Sequence, residues 1–146
     1  MNFDRSLYGH NYIKGCWEFH LEGCPKYRIN ALKDDSKKKL VEDTLQSVAV
    51  DLNVDVLELA VMPDHIHIIV RCFKPANPSY LLFRFKGRTS FEMFNQHPNF
   101  RKMYKKGHFW SRGNFCRTIG ADIETERNYV RNQQDIHQTR INAWAN

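Results

Sequence analysis

Long hydrophobic runs are missing from this sequence. The longest apolar stretches, around residues 57–62 and 66–70, fall far below the roughly 18 residues a membrane-spanning helix needs. The opening MNFDRSLYGH has neither the basic start nor the apolar stretch of a secretory signal, so a soluble, cytoplasmic protein is expected. The four cysteines, Cys16, Cys24, Cys72 and Cys116, form no C-x-x-C pair, which removes the support for a zinc ribbon or a thiol-redox motif. Such cysteines are expected as reduced thiols. No internal repeat or low-complexity tract is present, and 146 residues suit one hydrophobic core better than two, so residues 1–146 are read as one domain.

Acidic residues are scarce in one region. Residues 84–117 hold nine lysines and arginines against a single acid, Glu92, giving +8 locally in a chain whose total is +6. The rest of the chain is therefore slightly acidic.

Residues 11–22 have the aromatic, partly alternating character of a strand. Leu40, Val41, Leu45, Val48 and Leu52 recur at a helical period, with Asp34, Asp35 and Ser36 available as caps. Residues 54–62 and 65–73 read as two strands joined tightly at Pro63-Asp64. Residues 80–94 suit a second helix, 97–107 a loop, and 108–120 a last strand interrupted by Gly113. Asp122 then opens a helix over about 122–138, with acids in its first turn. The order β-α-β-β-α-β plus one helix predicts an α+β, ferredoxin-like sandwich with an antiparallel sheet, its core at about 11–119.

Within VMPDHIHIIV, strand alternation sends His65 and His67 to one face and Ile66 and Ile68 to the other. Two neutral imidazoles so placed can be adjacent ligands of one divalent cation, or simply polar residues on the solvent side of a hairpin. On the last helix Tyr129 and Gln133, four apart, stack on one face. That pair is either a phenol beside a neutral oxygen ligand or the half-buried end of an amphipathic helix.

PDHIHIIV, FKGRTS, FWSRGNF and YVRNQ, in that order, resemble the motifs of the single-tyrosine transposases of the HUH nuclease superfamily. These are small enzymes of insertion sequences that move as single-stranded DNA. The resemblance runs from about Tyr12 to Gln134. It implies that His65 and His67 are metal ligands, that Gln133 completes the site, and that Tyr129 is the nucleophile. Gln134 is the neighbouring candidate but faces away by about 100° on a regular helix. The resemblance further implies Mg²⁺ or Mn²⁺, a 5′-phosphotyrosine intermediate with a free 3′-hydroxyl, and single-stranded DNA with hairpin-forming ends as substrate. It also implies a homodimer whose tyrosine helix can act in trans, and association with the nucleoid when DNA is bound.

The basic stretch interleaves its nine cations with Phe85, Phe91, Phe94, Phe100, Tyr104, Phe109, Trp110 and Phe115. That mixture suits a groove that neutralises phosphates and stacks unpaired bases, although more than half of these aromatics should be core in so small a domain. Arg84, Lys86 and Arg88 are the leading DNA contacts, followed by Lys105, Lys106 and Arg112. Two alternatives stand beside the transposase. One is an HUH nuclease for replication initiation or a domesticated, repeat-associated enzyme. The other is a non-catalytic module binding single-stranded nucleic acid, which leaves the paired histidines without a role.

Overall fold

A computed structural model describes residues 16–133. Residues 11–15 of the expected first strand, Gln134 and the expected continuation of the last helix to residue 138 lie outside the described residues.

Chain order is β1 (Trp17–Gly23), α1 (Asp35–Leu52), β2 (Asp55–Met62), β3 (His65–Cys72), α2 (Pro78–Gln96), a single-turn α3 (Phe100–Met103), β4 (Phe115–Thr118) and α4 (Ile123–Arg131). The strands form one sheet in the order β2-β3-β1-β4, with every neighbouring pair antiparallel. This is the α+β, ferredoxin-like arrangement that the order of elements predicts. No helix among the described residues is long and apolar enough to cross a membrane.

Alternation divides the sheet into two unlike faces. Phe19 and Leu21 of β1 and Ile66, Ile68 and Val70 of β3 point into the larger core, which Val41, Leu45 and Val48 of α1 and Leu82, Phe85 and Met93 of α2 complete. The opposite face carries His20, Glu22, His65, His67 and Ile69, and α4 lies against it. There Ile69, Ile119 and Val130 form a second small buried cluster, with Leu57, Ala60 and Ile123 packed around it. The β2–β3 register shifts between Val56 and Glu58. The resulting bulge lets consecutive residues serve α4: Leu57 joins the apolar cluster, while Glu58 pairs with Arg127 and Arg131.

Local chemistry sets the helix starts. Asn77 accepts from the Ser79 backbone N–H at 2.9 Å ahead of Pro78, a residue suited to a first helical position. Asp34 caps α1 by accepting from the Ser36 N–H at 2.8 Å, and these bonds with Lys37 nearby hold its carboxyl down to about 2, from an ordinary 3.8. A depressed folded-state value means the contribution to stability is present above pH 3.8 and is lost as pH falls through about 2. Asp34→Ala is therefore expected to lower the thermal midpoint at neutral pH, and the gap from wild type should close as a melting series is taken down towards pH 2.

The stretch read as a loop over 97–107 contains the turn of α3, and the strand read over 108–120 is shorter than expected. Only Phe115–Thr118 pairs with β1. Residues 109–111 bond instead to the chain just beyond β1, through Lys26 N–H to the Phe109 carbonyl, Ser111 N–H to the Cys24 carbonyl, and an isolated bridge between Pro25 and Trp110. Gly113 falls in the break between the two pieces.

Phe85, Phe94, Tyr104, Phe109 and Trp110 are buried, whereas Phe91 and Phe115 are exposed. Trp110 donates its indole N–H to Thr89 at 2.7 Å. Tyr104 is 2% exposed, and its hydroxyl has no hydrogen-bond partner among the described residues; burial pushes its pKa up to about 12. An unpaired buried hydroxyl is a standing cost, so Tyr104→Phe should stabilise the fold by about 1 kcal/mol, read as a raised denaturant midpoint at unchanged slope.

Candidate active site

The β1–β3 register sets Glu22 directly opposite His67 and leaves His20 diagonal to it on the same face. His20 and His67 are both buried, and Nε2 of His20 lies 2.9 Å from Nδ1 of His67. Oε1 of Glu22 is 3.3 Å from His67 Nδ1 and 3.5 Å from His20 Nε2. Ligand atoms of His20, Glu22 and His67 thus converge within 4.8 Å of one another. The other nitrogen of His20, Nδ1, is 3.0 Å from Oε2 of Glu126 on α4, and Arg117 of β4 pairs with the second oxygen of Glu126.

His65 sits at the mouth of β3. Its Nδ1 lies 2.7 Å from the Asp64 carboxylate, and its ring meets that of His67 edge-on at 5.0 Å between centroids. A carboxylate on Nδ1 orients an imidazole and leaves Nε2 for a ligand. Tyr129, 49% exposed, stands with its ring 6.0 Å from that of His67 and 6.4 Å from that of His20. The nucleophile candidate is therefore beside the histidines and open to solvent. Gln133 is buried one turn further on, and its Nε2 donates to the Tyr129 carbonyl at 3.3 Å. That leaves the amide oxygen as its potential ligand atom.

Burial lowers the His20 pKa below 6.5, outweighing the hydrogen bond to Glu126 that raises it. The hydrogen bond with His67 holds the Glu22 carboxyl below the usual range. The cluster of His20, Glu22 and His67 offers nitrogen and oxygen donors of the kind that hold a divalent cation.

His20, Glu22 and Glu126 were not evident from the sequence. His20 and Glu22 are separated from His67 by more than forty residues, and the signal that could have found them is the i, i+2 pair in FHLEG, which shares a face with the H-x-H pair once β1 and β3 are paired. Glu126 looked like an acid serving a helix N-terminus.

The cation candidates are dispersed. Arg84 stacks on Tyr80 and donates to its hydroxyl at 3.0 Å, while Arg88, one turn on, pairs with Glu92 at 2.9 Å and lies over Phe91. Lys86 is on another side of α2, where its ammonium donates to the Ser111 and Gly113 carbonyls at 3.1 and 2.7 Å and burial lowers its pKa. Lys86 positions that loop, so a phosphate there would have to displace one of these bonds. Together with Arg112, Phe83 and His108, Lys86 lines a groove of about 320 Å³. Lys105 and Lys106 are exposed after α3.

A ferredoxin-like sheet whose open face sets an H-x-H pair beside the tyrosine of a following helix defines the single-tyrosine HUH proteins. Within that class, the family described as "Transposase IS200 like" matches residues 15–133, and the chain belongs to it. It is 27% identical over 116 residues to the transposase for insertion sequence element IS200 of Salmonella typhimurium, covering 80% of this chain and 76% of the relative. It is also 27% identical to the ISDra2 transposase TnpA of Deinococcus radiodurans, covering 81% of this chain and 84% of that one. Among solved structures, a putative transposase from Deinococcus radiodurans superposes with a TM-score of 0.67 at 25% identity, over 86% of this chain and 95% of its own. A REP-associated tyrosine transposase bound to a REP hairpin shares the fold at a TM-score of 0.59 and 17% identity, over 89% of this chain and 73% of its own.

Proposed function

We propose that this protein cuts and rejoins single-stranded DNA at the ends of an insertion sequence, with Tyr129 as nucleophile. One observation carries the reading: a half-exposed phenol stands 6.0 Å, ring to ring, from a buried histidine of an H-x-H pair. A non-catalytic binding module has no use for that arrangement.

His65, His67 and Gln133 would hold the divalent ion, while Glu22 faces the Nδ1 edge of His67, away from the nitrogen that would bind it. Bound Mg²⁺ or Mn²⁺ supplies Lewis-acid stabilisation of charge on a non-bridging phosphate oxygen. Tyr129 forms a bond from its phenolic oxygen to phosphorus, the bond from phosphorus to the 3′ oxygen breaks, and the phenolic proton ends on the departing 3′-hydroxyl. The product keeps a phosphodiester, so an incoming 3′-hydroxyl reverses the step and joins new ends. Arg88, Lys105, Lys106 and Arg112, all exposed, and the half-buried Arg84 supply positive charge for the DNA backbone, with Lys86 holding the loop that bears Arg112. A hairpin-forming DNA end is the proposed substrate, supported by the hairpin in the REP-associated relative. The working unit is taken as a homodimer on the nucleoid. Here α4 rests on its own sheet, so action in trans requires that docking to be released.

The test is a 3′-labelled single strand carrying a hairpin end, incubated with protein and Mg²⁺ or Mn²⁺ and resolved under denaturing conditions. A labelled covalent protein adduct, with the unlabelled upstream fragment released as a 3′-hydroxyl, is expected. Cleavage without an adduct, or an adduct that forms equally in chelator, overturns the proposal.

A further inference from the structure

We propose that His20 is a positioning residue: it holds His67 in the tautomer that frees Nε2 for a ligand, and it makes that tautomer depend on the docking of the tyrosine helix. This rests on the reading of His67 as a metal ligand.

The direction of the hydrogen-bond chain follows from its far end. An ionised carboxylate only accepts, so the 3.0 Å contact between Glu126 Oε2 and His20 Nδ1 places the proton on His20 Nδ1. A neutral imidazole carries one N–H and one lone pair, which leaves Nε2 of His20 as an acceptor. The 2.9 Å contact from that atom to His67 Nδ1 then requires the proton on His67 Nδ1. Glu22, 3.3 Å from the same nitrogen, is a second acceptor and asks for the same tautomer. The lone pair of His67 is thereby on Nε2. Arg117 pairs with the other oxygen of Glu126, so the chain is anchored at its α4 end.

His20 is 3% exposed, and a buried imidazole needs partners for both nitrogens. One partner lies on β3 and the other on α4, three residues before Tyr129. The same two bonds therefore orient the ligand histidine and dock the helix that bears the nucleophile. If α4 leaves, His20 loses the acceptor that sets its tautomer, and His67 loses the direction imposed on it. A competing use of these atoms is a cation held by His20 Nε2, Glu22 and His67 Nδ1 together. It needs a lone pair on His67 Nδ1, where the chain places a proton.

The experiment is nitrogen NMR of the histidine rings in the metal-free protein, together with Mn²⁺ titration, neither of which uses DNA. Wild type should show His67 protonated at Nδ1. In a Glu22→Ala background, which removes the second acceptor, His20→Leu and Glu126→Ala should each give a mixed His67 tautomer and a loss of Mn²⁺ affinity of about 10- to 100-fold. His20→Gln, whose amide can accept from His67 and donate to Glu126, should recover most of both. A wild-type His67 protonated at Nε2, or a tautomer and affinity unmoved by His20→Leu in that background, overturns the inference. So does Mn²⁺ binding that disappears equally in His20→Leu and His20→Gln but survives His65→Ala, because the ion then sits on His20 itself. A failure of adduct formation with these NMR results intact would instead fault the strand-transfer reading.

Discussion

Tyr129→Phe is expected to leave no detectable covalent adduct with a single-stranded hairpin end, while the fold and Mn²⁺ binding persist. The substitution removes one oxygen and keeps the ring that lies against His67 and His20. Because the side chain is half exposed, losing its hydroxyl should move stability by no more than about 0.5 kcal/mol, a shift of about 2 °C in the melting midpoint. Among the described residues the other tyrosines lie elsewhere: Tyr104 is buried among Phe94 and Phe109, Tyr27 stacks on Tyr104, and Tyr80 on α2 accepts from Arg84. A normal melt with adduct lost assigns the chemistry to Tyr129. Adduct retained in the phenylalanine variant removes Tyr129 from the mechanism.

How much of this was readable beforehand depends on the range over which each interaction acts. The β2–β3 hairpin follows from two apolar runs around Pro63-Asp64, and α1 and α2 follow from periodicity and caps, all local features. Gly87 sits within α2 without breaking it. It lies on the exposed side, where an added Cβ would meet nothing within 4 Å, so its cost is only the intrinsic one of about 1 kcal/mol. The last strand was overestimated because residues 109–111 have a strand's composition but pair with residues 24–26, a distant partner that only the folded chain supplies.

The site divides in the same way. H-x-H on one strand and Tyr129 with Gln133 on one helix are pairs within an element, so alternation and helical repeat reveal them. Helical spacing gave the stacking of Gln133 beneath Tyr129 but not the use of its amide nitrogen, which turns back to the Tyr129 carbonyl. His20 and Glu22 come from one further element, β1, and Glu126 from the first turn of α4; their relevance appears only when β1 is set beside β3 and α4 is laid across both. The cations show the converse: two residues apart in sequence, Arg84 bonds to Tyr80 along α2 while Lys86 turns to the loop that bears Arg112.

That dependence on docking leads to the other large expected effect, Val130→Asp. Val130 is fully buried against Ile69 and Ile119, with Leu57, Ala60 and Ile123 around it, and this is the apolar contact that holds α4 on the sheet. The ion pairs of Arg127 and Arg131 with Glu58 are partly solvated and add little to that contact. A carboxylate placed among these side chains has no partner and costs several kcal/mol by general experience of buried unpaired charge, on the order of 3–5. The larger core, built from β1–β3, α1 and α2, contains no residue of α4. The domain should therefore stay folded while α4 detaches, carrying Tyr129 away from His67 and Glu126 away from His20. The expected result is adduct formation reduced by at least about 100-fold, from loss of positioning alone. Hydrogen exchange should become fast in residues 123–131 and stay slow in β3. Val130→Ile, which keeps the contact apolar, should retain adduct formation. Global unfolding of Val130→Asp would mean that α4 belongs to the main cooperative unit, and full activity would mean that the nucleophile does not depend on this docking surface.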